Sequence, residues 1–202
     1  MQELAIRAVC TLVSDGELHH ELRRSLQELS RKGRTRMARP FMTGLTTALA
    51  QGSAAQRKAA ITLIASLLGR WHQQQTVLTI LFGAAQNDTN DANRVVAIEA
   101  ISFLQEEFSK SDEQLAISVA PTCQRVLCNI ASRDNNAEVR CAATDALGPR
   151  KNDEDIPAEV ARLLCERLSD RSVKTRTRAA TCLLAWGAER LEKAFQVSDW
   201  QV

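Results

Sequence analysis

The sequence predicts an all-α fold in which antiparallel helix pairs stack side by side into a superhelical solenoid. Three observations predict it. A column of small residues returns in Gln56-Arg57-Lys58-Ala59-Ala60, Asn93-Arg94-Val95-Val96-Ala97, Val139-Arg140-Cys141-Ala142-Ala143 and Arg176-Thr177-Arg178-Ala179-Ala180. With the last alanine of each as register, the steps are 37, 46 and 37 residues, a period that marks stacked supersecondary units. Apolar residues recur at helical spacing from end to end, and no run of alternating β-branched residues competes with them. Finally, Ala and Leu supply the packing residues: aromatics are 4% of the chain and Tyr is absent, which suits closely spaced helices.

The elements follow in order. Met1 to Val13, interrupted by Glu3 and Arg7, reads as a helix and not as a signal peptide. Leu18, Leu22, Leu26 and Leu29 mark one stripe, and Phe41, Leu45 and Leu49 the next, entered through Pro40. Ile61, Ile64, Leu67 and Leu68 form a stripe stopped by Gly69, followed by Val77, Leu78, Leu81 and Phe82. Val96, Ile98, Ile101, Leu104 and Phe108 come after the polar linker 87–93. Leu115, Val119, Val126, Leu127 and Ile130 form a longer pattern that Pro121 either kinks or splits in two. Val139, Ala143, Ala146 and Leu147 end at Gly148-Pro149, where the glycine is expected in the left-handed position after the helix. Val160, Leu163, Leu164 and Leu168 start after Pro157, a last repeat helix runs from Val173 to Trp186, and a tail helix covers Leu191 to Phe195. About ten helices result, in one repeat domain over residues 1–202.

The bulk composition bounds the rest. A hydrophobic share of 45% with 25% charged residues is that of a folded chain, and a net charge of +2 does not by itself point to nucleic acid. No apolar run approaches the roughly 20 residues needed to span a bilayer, so a soluble, cytoplasmic protein without membrane contact is expected, with the nucleus not excluded. Cys10, Cys123, Cys128, Cys141, Cys165 and Cys182 contain no C-x-x-C pair. Cys123, Cys165 and Cys182 fall among apolar positions, where free thiols act as small hydrophobes, and this fits a reducing compartment.

Asp134 to Gly148 (DNNAEVRCAATDALG) and Asp170 to Gly187 (DRSVKTRTRAATCLLAWG) resemble the HEAT-repeat family of the armadillo-like superhelix group, in its inter-helix Asp followed by a V-R-x-x-A-x-x-A-L helix start. Asp88 precedes Ala97 by nine residues, as Asp134 precedes Ala143. Arg57, Arg94 and Arg140 stand three before their register alanine, a column that resembles the family's Asp–Arg ladder between neighbouring repeats. The last unit departs from it: Thr177 occupies the Arg position, between Arg176 and Arg178. The resemblance covers residues 87–187 and fits an excerpt from a longer array. It implies a protein-binding scaffold or adaptor that displays the second helix of each pair along a concave face to an unidentified protein partner.

Other HEAT-like proteins set the alternatives. DNA glycosylases of this kind use a basic concave surface, and the chain has two basic runs. Arg31, Lys32, Arg34, Arg36 and Arg39 fall within nine residues, and Arg171, Lys174, Arg176 and Arg178 form the second run. No aromatics interleave with them for base stacking, so the order of readings is a solvated loop, then an acidic protein partner, then nucleic acid. Bilin lyase subunits are a further HEAT-like group, yet no residue here stands out to hold a tetrapyrrole. Deoxyhypusine hydroxylases bind iron through several His-Glu pairs, whereas this chain has His19-His20-Glu21 and one further histidine, His72, before Gln73. No metal, no cofactor and no enzymatic activity are therefore expected. Asp153, Glu154, Asp155 and Glu159 sit at a helix start, where negative charge complements the macrodipole. Trp186 is expected to be packed, and Trp200 to be a contact anchor.

Overall fold

The computed structural model describes residues 44–68, 74–111, 113–150 and 153–197. These are helices and short turns, with no strand among the described residues, so the fold class is all-α. The stripes of residues 18–41, with Pro40, Gly69, Trp71, Cys10 and all three histidines, lie outside the described residues. The chain forms two compact units, Met1–Leu104 and Gln105–Val202.

In the first unit, residues 44–51 are helical and lead through a tight turn into α1 (Ala54–Leu68), which packs against α2 (Gln74–Asn87). Ser53 starts α1 with a capping box: its hydroxyl accepts the Gln56 N–H at 3.3 Å, and Gln56 Oε1 accepts the Ser53 N–H at 2.9 Å. At Gly52 the chain turns so closely that a Cβ would lie 2.4 Å from the Ala48 carbonyl oxygen. Leu45, Ile61, Ile64, Val77 and Leu81 are fully buried, as the stripes predict. The helix α3 (Asp91–Ser111) contributes its residues up to Leu104, with Ala97 and Ile101 fully buried.

The second unit holds α4 (Glu113–Arg133), α5 (Ala137–Asp145), α6 (Ala158–Arg167), α7 (Val173–Trp186) and α8 (Ala188–Val197). Consecutive helices pack as pairs, α4 on α5 and α6 on α7, and each packs on its counterpart in the next pair: α4 on α6, α5 on α7, α6 on α8. The core is Val126, Leu127, Val139, Ala143, Val160 and Leu164 with their stripe neighbours. No helix among the described residues is long and apolar enough to cross a membrane.

Four local expectations change. The register alanine of the last unit is Ala179, which is fully buried like Ala60, Ala97 and Ala143, whereas Ala180 is half-buried. Arg176, three residues before Ala179, stands where Arg57, Arg94 and Arg140 stand. Gly148 does not take a positive φ, which among the described residues belongs to Gly187 alone, at φ 82° between α7 and α8. What Gly148 supplies is room: a Cβ would meet the Asp145 carbonyl oxygen at 3.2 Å and Cys182 Sγ at 3.4 Å. Leu168 is exposed because α6 ends at Arg167 and it falls in the following turn; Cys165 is exposed because it lies off the face that buries Val160, Ala161, Leu163 and Leu164. Of the two readings of Pro121 the split is excluded, since α4 runs on continuously, and the side chains of Pro121 and Ile117 are exposed. The Ile117 carbonyl that Pro121 leaves without a helical partner therefore lies on the wet side of the helix.

Ala143 is fully buried, so Ala143→Phe should overpack the α5 contact and cost roughly 1–3 kcal/mol. Urea unfolding of the two proteins measures this, and equal midpoints would show that the site is not tightly packed.

Candidate functional site

Three turns in the chain are built alike. Asp88, Asp134 and Asp170 each accept the backbone N–H two residues on: Asn90 at 2.8 Å, Asn136 at 2.8 Å and Ser172 at 2.9 Å. Those partners then cap the helices that follow. Asn90 Oδ1 accepts the Asn93 N–H at 3.2 Å, Asn136 accepts from Glu138 and Val139, and Ser172 accepts from Thr175. Six residues after each Asp, an arginine Nη1 donates back to that Asp's carbonyl oxygen: Arg94 at 2.8 Å, Arg140 at 2.9 Å and Arg176 at 2.8 Å. In α1, where no Asp precedes, Arg57 Nη1 donates to the Gly52 carbonyl at 2.9 Å instead.

The other side of the guanidinium reaches forward along the chain. Arg57 Nε and Nη2 each donate to the Asp88 carboxylate at 2.8 Å. Arg140 repeats the fork on Asp170 with both bonds at 2.9 Å, and there the side chains are only 4% and 3% exposed. Two parallel charge-assisted bonds in fixed geometry are the strongest form of this contact. The Asp170 carboxyl is held below its usual range by the Arg140 hydrogen bonds, against burial and with help from the Ser172 N–H and the charge of Arg167. At Asp88 burial pushes the carboxyl up, but the bonds from Arg57, the Asn90 N–H and Asn93 together bring it below the ordinary value. One Asp–Arg rung is therefore present within each unit, Arg57–Asp88 and Arg140–Asp170.

Around the Arg140–Asp170 rung, α5 and α7 are joined by further bonds. Trp186 Nε1 donates to the Leu147 carbonyl at 3.1 Å, Cys182 Sγ to the Thr144 carbonyl at 3.5 Å, and Thr175 Oγ1 to the Ala137 carbonyl at 3.4 Å. Trp186 is buried as expected, with the Arg190 guanidinium 5.9 Å from its ring centroid. The acidic segment before α6 is engaged with other elements besides its own helix. Asp153 accepts the Arg150 N–H at 2.9 Å and Asp155 pairs with Lys193 at 2.7 Å, while Glu159 stands in the first turn of α6.

Of the sequence-predicted contact residues, Arg31, Lys32, Arg34, Arg36, Arg39 and Trp200 lie outside the described residues. Arg171 and Lys174 are on the surface, at the start of α7, and both face the preceding pair. Arg171 donates to the Asn135 carbonyl at 2.9 Å, and Lys174 forms an ion pair with Glu138. Arg178, further along, pairs with Asp145 at 3.2 Å. The basic side of α7 thus matches the acidic side of α5. Sequence reasoning had no signal for this match, because the paired groups are 33 and 36 residues apart. It also missed two clefts. One, of about 480 Å³, lies beside the Arg57–Asp88 rung and is lined by Thr46, Leu49, Ile80 and Gly83. The other, of about 320 Å³, is lined by Gln105, Ile117, Val119 and Arg150, and there Arg150 Nη2 donates to Gln105 Oε1 at 2.6 Å.

No protein-family model matches the chain, and no curated protein matches it either.

Cys123, Cys128, Cys141 and Cys182 are buried free thiols and Cys165 is an exposed one. Burial pushes Cys123 and Cys128 up to about 12 and Cys182 to about 11. Since the thiolate is the reactive form, a thiol reagent applied to native Cys10→Ser protein at neutral pH should modify Cys165 first and the other four only on unfolding. Early labelling of Cys123 or Cys128, read by peptide mass mapping, would contradict this.

The rung itself has a measurable share in stability. Arg140→Ala takes the two-bond partner from a buried carboxylate, leaving it only Arg167 and the Ser172 N–H, and should cost up to about 3–5 kcal/mol by chemical denaturation. The pH dependence has a definite sign. A carboxyl whose folded value lies below its unfolded one contributes fully above about pH 4, and that contribution is lost as pH falls through the folded value. Asp170→Asn should therefore flatten the fall in stability below about pH 4, and an unchanged acid limb would refute the assignment.

Proposed function

We propose that this protein is a protein-binding scaffold of HEAT-like stacked helix pairs, which presents the outward faces of its second helices to a partner. The observation that carries the reading is the recurrence of one unit: an Asp-x-Asn/Ser turn with an arginine six residues on, at 88 and 94, 134 and 140, and 170 and 176. Its charged groups tie each turn to its own helix and, in two rungs, to the neighbouring pair, so they act in stacking. Large apolar side chains meanwhile stand on the surface at Ile117, Val173 and Leu184. A rigid frame with exposed apolar anchors suits binding, because preorganised surfaces lose little entropy on association. Arg34, Arg36 and Arg39 would serve such a surface as a rim that tunes rate and specificity toward an acidic partner, with Trp200 as an anchor. The pairing of Arg171, Lys174 and Arg178 with groups of the preceding pair leaves less free positive charge for phosphates than the sequence suggests.

Affinity capture with mass spectrometry, followed by titration of the recovered protein, tests the reading. A saturable protein partner should be found, weakened modestly by reversing Arg34, Arg36 and Arg39 to Glu with no change in the melting temperature. In parallel, anisotropy with unrelated oligonucleotides should show weak binding at most. Tight oligonucleotide binding that falls linearly with salt on log–log axes, and is abolished by the triple reversal, would overturn the scaffold in favour of a nucleic-acid reader.

A further inference from the structure

The arginine column has a third member with a half-empty fork. Arg176 Nη1 donates to the Asp170 and Arg171 carbonyls at 2.8 and 3.3 Å, as Arg140 Nη1 donates to Asp134 and Asn135 at 2.9 and 3.1 Å. In Arg57 and Arg140 the remaining donors, Nε and Nη2, grip an aspartate of the next turn. Among the described residues no acceptor meets Nε or Nη2 of Arg176.

The surface beside that fork repeats a surface which is elsewhere covered. Counted from the ladder arginine, α5 carries Ala137, Cys141 and Thr144, then Gly148 just past its end, at offsets −3, +1, +4 and +8. These four are the footprint of α7. Thr175 Oγ1 bonds the Ala137 carbonyl at 3.4 Å, Cys141 Sγ bonds the Lys174 carbonyl at 3.9 Å, and Cys182 Sγ bonds the Thr144 carbonyl at 3.5 Å. Cys182 also lies 3.4 Å from where a Gly148 Cβ would be. On α7 the same offsets are Val173, Thr177, Ala180 and Leu184. Here Val173 is 66% and Leu184 82% exposed, Thr177 is exposed and Ala180 half-buried. The face equivalent to the covered footprint on α5 is exposed at Val173, Thr177 and Leu184, and its residues are larger and more apolar than on α5.

We propose that this face of α7 docks a helix of a partner protein that begins with an Asp-x-Asn/Ser turn. The turn aspartate takes Nε and Nη2 of Arg176 in the bidentate geometry of the two existing rungs, and the helix lays small apolar residues over Val173, Ala180 and Leu184. The chemistry is set by what the molecule already does twice: the fork fits a planar carboxylate, and an Asx turn fixes that carboxylate at a helix start. The inference rests on the scaffold reading and names where, and by what, it binds.

A labelled peptide of this chain's own Asp170–Trp186 sequence is the probe, because it carries the turn and the face that cover the equivalent footprint on α5. Anisotropy with the full chain should give saturable binding, weakened roughly tenfold or more by Arg176→Gln, and likewise by Leu184→Glu at a position too exposed to unfold the protein. A probe with Asp170→Asn should bind as weakly, and it should be indifferent to Arg176→Gln. No saturable binding, or equal affinity of either variant or of the altered probe, overturns the docking site. A gain in probe affinity on the Asp199→Asn chain gives the fork to the chain's own tail, and self-association lost in Arg176→Gln gives it to a second copy; either overturns the partner. A captured protein that binds Arg176→Gln and Leu184→Glu unchanged removes this site while leaving the scaffold reading in place.

Discussion

The contact on which the second unit depends is the Arg140–Asp170 rung, because it places two charges where water does not reach. Burying an ion pair ordinarily costs about as much as it returns, and the balance is decided by how many of its hydrogen-bonding sites are filled. Here they are filled from several sides. Asp170 receives Arg140 Nε and Nη2, Arg167 Nη1 at 3.2 Å and the Ser172 N–H, while Arg140 Nη1 is held by the Asp134 and Asn135 carbonyls. Each partner is thus bound to its own turn before it meets the other. The ordering entropy is met locally, and the rung adds a fixed register between the α4–α5 and α6–α7 pairs. A sliding contact between two smooth helix faces would not give this register.

The rung sets how near α5 and α7 come, and small residues make that approach tolerable. Ala143 and Ala179 are fully buried, Gly148 leaves room for Cys182, and Thr144 hides its hydroxyl in a 2.8 Å bond to the Arg140 carbonyl. Polar atoms brought so close need partners, since an unsatisfied buried group costs about 1–3 kcal/mol. The indole of Trp186 and the thiol of Cys182 answer carbonyls near the end of α5. Charge sits outside this seam, in the exposed pairs Lys174–Glu138 and Arg178–Asp145. Such pairs are worth little individually, so they select the neighbour more than they hold it.

Helices and their buried stripes were legible because period and burial agree in amphipathic segments, and the Asp–Arg column was legible because its spacing is local. Where the reading slipped, the cause is specific. The last unit carries an Ala-Ala pair, in which either alanine fits the register; the nine-residue step from Asp88 to Ala97 and from Asp134 to Ala143 leads from Asp170 to Ala179, and the turn geometry supports that step. Gly148 follows a helix and precedes a proline, which looks like a left-handed cap, yet its constraint is the Asp145 carbonyl oxygen, 3.2 Å from where a Cβ would lie. The pairing of Arg171, Lys174 and Arg178 was not legible, because their partners lie on α5 and in the turn before it, out of reach of any local pattern.

One asymmetry in the column remains informative at the level of side-chain size. A position always covered by a neighbouring helix favours Ala, Cys, Thr or Gly, since a larger residue would hold the backbones apart. α5 obeys this at Ala137, Cys141, Thr144 and Gly148. Val173 and Leu184 on α7 do not, and they are exposed. An aliphatic side chain in water contributes nothing until it is covered, and then about 1.5–3 kcal/mol if fully buried. The residue sizes on α7 therefore match a contact set further off than the α5–α7 seam, whereas the Arg176 guanidinium keeps the polar half of that seam unchanged. The same arginine geometry beside a wider apolar face favours a partner that shares the turn chemistry of this chain but not its close helix spacing.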